Sequence, residues 1–134
     1  MKEYPNLSPA SRNVLSKAKT LASELRHEFL TTEHILLAML NRKTYTVGFR
    51  VLVNMNIDLD EFKAFIITNL SKWRGEEIPK VTDIEPSARF LTMMTYASCV
   101  AQELESDLIE IDHMLLSILV SETGSGHNLF RLKN

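Results

Sequence analysis

The chain has 134 residues, 45% of them apolar and 24% charged, a composition that argues against a disordered protein and fits one soluble domain. Its formal net charge of −2 gives no support to a nucleic-acid-binding protein. No stretch approaches the roughly 20 apolar residues of a transmembrane helix, so neither nucleic acid nor a membrane is expected as a partner.

Charge is divided unevenly between the two parts of the chain. Residues 1–80 hold 12 Lys and Arg against 9 Asp and Glu, whereas residues 81–134 hold 3 against 8. An acidic half favours cationic partners, although a solvated surface is the commoner meaning of such a bias.

Cys99 is the only cysteine, so an intrachain disulfide is excluded and an intracellular protein is favoured. It lies in the apolar run YASCVA and is expected to be a buried, inert thiol. The N-terminal segment MKEYPNLSP lacks the apolar core of a secretory signal, and a cytoplasmic protein is therefore expected.

The first predicted helix begins at Ser8-Pro9, because serine can cap free backbone amides and proline fits the first helical position. Its apolar residues recur at helical spacing, at Val14, Leu15, Ala18, Leu21, Ala22 and Leu25. Thr32 is predicted to cap a second helix, whose apolar stripe consists of Ile35, Leu36, Met39 and Leu40.

A third helix is predicted after Asp58, which can form a capping box with Glu61. Ile57 can pack against Phe62 at the same helix start, as in a hydrophobic staple. The helix is expected to close the first structural unit near Trp73.

Residues 74–85 are charged, contain one glycine and one proline and lack helical periodicity, so they are predicted to be a linker. The chain then repeats itself: a shift of 79 residues aligns 8–40 with 87–119, and nine of the 33 pairs are identical. TTEHILLAML at 31–40 and EIDHMLLSIL at 110–119 are the clearest pair. We conclude that the chain contains a duplicated helical unit.

These patterns predict an all-α domain over residues 1–134, built from two pseudo-symmetric helical repeats packed together. Repeat one spans about 7–73 and repeat two about 86–134. The second repeat stops short of a counterpart to residues 58–71, so a fragment of a longer chain is expected.

Histidines are the first candidates for chemistry, because His34 and His113 occupy equivalent positions. One hypothesis is a small metal-dependent enzyme, although zinc needs three or four ligands and no H-E-x-x-H motif occurs. The favoured interpretation is that each histidine packs in the first turn of its helix and orders the preceding loop. No P-loop motif is present, and the six methionines are predicted mainly to fill the core.

Two equivalent carboxylates, Glu33 and Asp112, are predicted at the first position of their helices. A negative charge there can simply stabilise the helix by about 0.3–1 kcal/mol. It can also hold a guanidinium through two charge-assisted hydrogen bonds. Residue types alone leave both interpretations open.

Two longer stretches resemble a known family. LSPASRNVLSKAKTLASELRHEFLTTEHILLAML, followed by VGFRVLVNMNIDLDEF, resembles the first repeat of the Clp N-terminal domain of Clp/Hsp100 AAA+ unfoldases. PSARFLTMMTYASCVAQELESDLIEIDHMLLSIL resembles that family's second repeat. The likeness covers about residues 7–132 and is to the ClpC and ClpA type in particular.

This resemblance implies a non-catalytic recognition domain that receives adaptor proteins and substrates, and that serves a Clp protease through the rest of the parent chain. It implies no cofactor here, since ATP binds elsewhere in such chains. In ClpC-like members the domain also recognises phosphoarginine, with a glutamate on the guanidinium and with helix N-termini and hydroxyls on the phosphate. The positions that match this site are Ser8, Thr32, Glu33, Ser87 and Asp112.

Departures from the family pattern fall mainly in the second repeat. Ile111 occupies the position at which the family's repeat has threonine before its acidic residue and histidine. Asp112 is shorter than the glutamate of that motif, and Ser106 replaces a histidine. Arg26 and Glu105 replace a common glycine. Phosphoarginine binding is therefore expected at the first site rather than at the second. A stand-alone double-repeat regulator or adaptor is the alternative function.

Overall fold

Five helices with both ends defined, and two short strands, occur in the part of the chain that the computed structural model describes, residues 6–40, 50, 54, 56, 58–72 and 84–120. The helices are α1 (Pro9–Glu24), α2 (Thr32–Leu40), α3 (Leu59–Lys72), α4 (Ala88–Glu103) and α5 (Ile111–Val120). The strands are β1 (Phe29–Leu30) and β2 (Glu85–Pro86). The predicted all-α class is confirmed, and no described helix is long and apolar enough to cross a membrane.

The long helices α1 and α4 begin in the same way. Ser8 Oγ accepts a hydrogen bond from the Ser11 amide at 3.1 Å, and Ser87 Oγ accepts one from the Phe90 amide at 3.1 Å. Each serine satisfies one of the backbone donors that a helix start leaves without an intrahelical partner. The predicted cap at Ser8 is confirmed.

The same two helices also end alike, with one residue in the left-handed backbone region. Arg26 has φ of 57° and Glu105 has φ of 55°. After α1, the His27 amide donates to the Ala22 carbonyl at 3.0 Å, and after α4 the Ser106 amide donates to the Ala101 carbonyl at 2.8 Å. This arrangement is a Schellman motif, in which glycine is the usual residue at positive φ.

We expect Arg26→Gly to raise the free energy of unfolding by about 1 kcal/mol, because a residue with a Cβ pays roughly 1–2 kcal/mol in this conformation. The greater freedom of glycine in the unfolded chain offsets part of that gain. Urea denaturation measures the change, and Glu105→Gly should reproduce it at the equivalent turn. Asn13→Gly, on the exposed face of α1, is the control and should lower stability by about 0.3–0.5 kcal/mol, because asparagine is itself a poor helix former. A loss of stability in Arg26→Gly would contradict the argument.

Two short parallel pairings join the repeats. Leu30 pairs with Pro86 in the β1–β2 ladder, and Leu7 pairs with Ile109 in an isolated bridge. Under the 79-residue repeat, Leu30 corresponds to Ile109 and Pro86 corresponds to Leu7. The two pairings are therefore equivalent by the pseudo-symmetry that exchanges the repeats. They were not predicted, because two residues are too few for a strand pattern.

The core is one continuous cluster to which both repeats contribute. α1 packs on α2, α4 packs on α5, and α3 packs on α2. Leu37 of α2 is therefore 5% exposed, whereas its counterpart Leu116 of α5 is 42% exposed. The methionines of the described residues are all buried, as predicted: Met39, Met93, Met94 and Met114.

Asp58 caps α3 as predicted, since its Oδ1 accepts from the Asp60 amide at 2.9 Å and from the Glu61 amide at 3.3 Å. The proposed staple residue Ile57, the helix end at Trp73 and most of the predicted linker lie outside the described residues. Residue 84, within that predicted linker, is a buried isoleucine.

Cys99 is exposed, and the prediction of a buried thiol is wrong. Its apolar neighbours in sequence suggested burial, but α4 places it one helical turn beyond Thr95 and Tyr96, which are both exposed. The apolar run thus continues around the helix onto its outer face. The length of the apolar run indicated a helix, but it did not determine whether the Cys99 side chain faces the core or the solvent.

Candidate functional site

Each long helix starts beside the short helix of the other repeat. The Ser87 amide donates to the Leu30 carbonyl at 2.8 Å, two residues before α2 begins. The Ser8 amide donates to the Ile109 carbonyl at 3.1 Å, two residues before α5 begins. We call the starts of α4 and α2 the first corner, and the starts of α1 and α5 the second corner.

The predicted site residues divide between these corners across the repeats. Ser87 belongs with Thr32 and Glu33 at the first corner, and Ser8 belongs with Asp112 at the second. Each corner therefore unites two helix N-termini, whose partial positive charges favour an anion.

Each histidine holds the residue before its short helix through a backbone hydrogen bond. His34 Nδ1 accepts from the Thr31 amide at 2.9 Å, and Thr31 Oγ1 lies 2.9 Å from the same nitrogen. His113 Nδ1 accepts from the Glu110 amide at 2.9 Å. The favoured interpretation, in which each histidine orders the loop before its helix, is confirmed.

His34 has a second ring partner, since its Nε2 lies 2.8 Å from His27 Nδ1. Because Nδ1 accepts the Thr31 amide, the proton of the neutral ring is on Nε2 and is donated to His27. Burial, together with the neighbouring His27, lowers the pKa of His34 from 6.5 to about 3. His34 is therefore neutral near pH 7, and both of its nitrogens are engaged.

The metal-enzyme hypothesis gains no support from this geometry. Within the described ranges, no group of three or more His, Cys, Asp or Glu side chains is placed to hold a metal ion.

Thr31, rather than Thr32, is the residue before α2, and the predicted cap is therefore displaced by one position. The Thr31 carbonyl accepts from the Ile35 amide at 3.4 Å, and Thr32 is the first helical residue. Glu33 and Asp112 consequently occupy the second helical position rather than the first. Both still lie in the first turn, where the helix dipole acts on them.

Two neighbouring polar atoms of the first corner are buried without a partner. Thr32 Oγ1 and Glu33 Oε1 have no hydrogen-bond partner among the described residues. Glu33 is only 1% exposed. Such groups carry a desolvation cost of about 1–3 kcal/mol each, so their occurrence on consecutive residues calls for an explanation.

The second corner differs in both its hydroxyl and its carboxylate. Ser8 Oγ donates to Ser11 Oγ at 3.0 Å, and Ser11 Oγ donates to the Ile109 carbonyl at 2.8 Å. Phe90 replaces Ser11 at the first corner and offers Ser87 no such acceptor. Asp112 is partly exposed, in contrast to Glu33.

Sequence reasoning missed Thr31, Ser11 and the His27–His34 pair. The spacing of Thr31 to His34, repeated at Glu110 to His113, is the cap-to-third-residue spacing of a capping box and could have identified the true cap. No sequence signal connected Ser11 to Ile109, because the contact crosses 98 residues.

The chain matches the Clp repeat (R) N-terminal domain over residues 6–132. It is 32% identical over 116 residues to a probable ATP-dependent Clp protease ATP-binding subunit of Chlamydia pneumoniae, covering 87% of this chain and 13% of that protein. It is 23% identical over 127 residues to the subunit ClpC of Staphylococcus epidermidis, covering 95% of this chain and 15% of that protein. The chain thus spans less than a sixth of these relatives.

Solved structures share the fold at low sequence identity. The Hsp104 N-terminal domain from Candida albicans has a TM-score of 0.81 at 19% identity, covering 96% of this chain and 81% of that one. The N-domain of ClpV from Vibrio cholerae has a TM-score of 0.79 at 22% identity, covering 96% and 75%.

Proposed function

The chain belongs to the family of the Clp repeat (R) N-terminal domain, and from this we infer that it is the adaptor- and substrate-recognition domain of an ATP-dependent Clp unfoldase. A domain of this family is a binding module and not an enzyme. We assign ATP hydrolysis and contact with a Clp protease to the rest of a longer cytoplasmic parent chain.

We further propose that the first corner recognises phosphoarginine on marked proteins. The observation that carries this proposal is the buried pair of Thr32 Oγ1 and Glu33 Oε1, which lack partners among the described residues at a point where two helices begin. A guanidinium offers several N–H donors to a carboxylate. The phosphate of the same ligand suits backbone amides that the two helix starts leave without an intrahelical partner.

The first corner suits this ligand better than the second. Glutamate reaches one methylene further than Asp112, and Thr32 supplies a hydroxyl where the second repeat has Ile111. The Ser8 hydroxyl is already committed to Ser11. Because Glu33 is 1% exposed, a ligand reaches its carboxylate only after the groups that cover it move.

Glu33→Gln is expected to weaken binding of a phosphoarginine peptide by at least tenfold, because a hydrogen bond to a charged group contributes about 1.5–3 kcal/mol. Glutamine keeps the size of the side chain, so thermal stability should not fall. Isothermal titration calorimetry measures the affinity, with the unphosphorylated arginine peptide as a second ligand that should bind much more weakly.

Asp112→Asn is the matched control and should change the affinity by less than twofold. If Glu33→Gln binds the phosphoarginine peptide as tightly as the unaltered chain, Glu33 is only a helix-start charge. Equal losses in both variants would instead assign the ligand to both corners.

The alternative function, a stand-alone regulator or adaptor, is distinguished from the proposed one by the rest of the encoded polypeptide. A Clp unfoldase requires the natural reading frame to continue into a P-loop ATPase module. A reading frame that ends with this domain would establish the alternative and remove the role in ATP-driven unfolding.

A further inference from the structure

His27 and His34 form a buried pair between the end of α1 and the start of α2. His27 is 8% exposed and His34 is 0% exposed. Their ring centroids lie 5.1 Å apart and the ring planes are tilted by 51°, so the rings are joined by a hydrogen bond and are not stacked. Neither ring takes part in the contacts proposed above for phosphoarginine, yet His34 belongs to the first turn of α2 at the first corner.

The Thr31 amide determines the direction of the hydrogen bond between the two rings. This amide donates to His34 Nδ1, so that nitrogen carries no proton. The single N–H of the neutral His34 ring is therefore on Nε2, which lies 2.8 Å from His27 Nδ1. His27 Nδ1 is consequently an acceptor, and the proton of a neutral His27 ring is on its Nε2. Only this arrangement of protons satisfies the Thr31 amide and both neutral rings.

Both ends of this hydrogen-bonded chain are attached to a fixed backbone. At one end, the His27 amide donates to the Ala22 carbonyl at 3.0 Å, within the Schellman motif that follows α1. At the other end, Thr31 is the residue before α2, and its carbonyl accepts from the Ile35 amide. The two rings thus connect the last turn of α1 to the residue from which α2 starts.

Thr32 and Glu33 directly follow the residue that this chain holds. Their side chains include the two buried oxygens that lack a partner among the described residues, and their amides belong to the helical turn that has no intrahelical acceptors. A binding group has to be held within about 0.5 Å of its productive position, and the hydrogen bonds behind it provide that precision. A change in the backbone of Thr31 would therefore displace both residues at the first corner.

The second repeat retains the histidine at the helix start but lacks its partner. Ser106 replaces His27, and the Ser106 hydroxyl donates to the Leu108 carbonyl within the same turn at 2.7 Å. His113 Nδ1 nevertheless accepts the Glu110 amide at 2.9 Å. The fold therefore builds this helix start without a second histidine. The additional ring occurs only in the repeat whose helix start carries the buried carboxylate.

We propose that His27 is a positioning residue for the first corner and acts on the ligand site through His34. It holds the His34 ring in the one tautomer that accepts the Thr31 amide, because the hydrogen bond made by one ring nitrogen sets the proton on the other. Glu33 is 1% exposed and has little room to compensate for a displaced helix start. This role rests on the proposed recognition of phosphoarginine, and His27 itself does not touch the ligand.

Two variants of the same shape test this role by isothermal titration calorimetry with a phosphoarginine peptide. His27→Leu should weaken binding at least fivefold, because leucine offers no acceptor to the His34 Nε2 proton. His27→Asn should bind within twofold of the unaltered chain, since its Oδ1 takes the place of Nδ1 and accepts the same proton. Leucine and asparagine have the same branched shape, so these variants differ chiefly in the acceptor. Ser106→Ala, at the equivalent position of repeat two, is the matched control and should leave the affinity unchanged.

The tautomer of His34 is a second measurement, which a merely structural role of His27 would not change. Ring ¹⁵N NMR distinguishes a protonated nitrogen from an unprotonated one. In the unaltered chain and in His27→Asn, His34 Nε2 should carry the proton and Nδ1 should carry none. In His27→Leu we expect a mixture of the two tautomers, because the buried Nε2–H has lost its acceptor.

Equal affinity of His27→Leu and the unaltered chain would overturn the role of His27. So would a His27→Asn variant that binds as weakly as His27→Leu, an unchanged His34 tautomer in His27→Leu, or a leucine variant that is unfolded at the assay temperature. If Glu33→Gln weakens binding and His27→Leu does not, the proposed function stands and only this role is wrong. If the unaltered chain does not bind the peptide, the proposed function itself is wrong and this role falls with it.

Discussion

Replacing Phe90 with alanine is expected to lower the free energy of unfolding by about 3–5 kcal/mol, the range measured for phenylalanine-to-alanine changes in protein cores. Phe90 is 0% exposed and is the largest fully buried side chain of the described residues. It lies in the first turn of α4, where its amide donates to Ser87 at the first corner. Loss of the ring therefore opens a cavity where the two repeats meet.

Phe90→Leu is the control for this prediction, since it retains most of the apolar volume and should cost less than about 1.5 kcal/mol. Urea denaturation with an unchanged m-value measures both losses in a two-state transition. A loss below 1 kcal/mol for the alanine variant would show that neighbouring side chains fill the space and that the repeats are not packed tightly there.

Acid is expected to destabilise the domain through His34 by roughly 2–3 kcal/mol between pH 6.5 and pH 4.5. Burial, with the neighbouring His27, lowers the folded-state pKa of His34 to about 3, against 6.5 in the unfolded chain. Between these two values the unfolded state binds one more proton. This contribution is thus complete above pH 6.5 and falls by about 1.4 kcal/mol for each unit of decreasing pH until about pH 3.

His34→Asn separates this effect from the titration of other groups. The asparagine carbonyl can accept the Thr31 amide in place of Nδ1, but it does not titrate. The variant should be less stable than the unaltered chain at pH 7.5 and should lose less stability between pH 6.5 and 4.5. Urea denaturation at a series of pH values provides the comparison. Parallel curves for the two proteins would contradict a buried, neutral His34.

The sequence predicted those parts of the fold that depend on local chemistry. Ser8 and Asp58 begin helices because their side-chain oxygens accept backbone amides, and this requires only a few neighbouring residues. The 79-residue repeat predicted the equivalence of His34 and His113, and in the structure each ring accepts from the backbone amide three residues before it.

Features that depend on distant contacts were not predictable in the same way. The pairing of Leu30 with Pro86 joins segments that contain no strand pattern. Exposure of Cys99 depends on how α4 is rotated about its axis, which a run of apolar residues does not determine. The burial of Glu33 likewise follows from what packs around α2 and not from its residue type.

The crossed arrangement of the corners has a consequence for how such a domain arises. Each corner consists of one helix start from each of the two repeats. A chain with a single repeat could therefore form a corner only by associating with a second chain. A covalent tether replaces that encounter with an effective concentration in the millimolar range. Duplication within one polypeptide thus makes both corners independent of protein concentration. Each repeat can then acquire substitutions that the other repeat does not share.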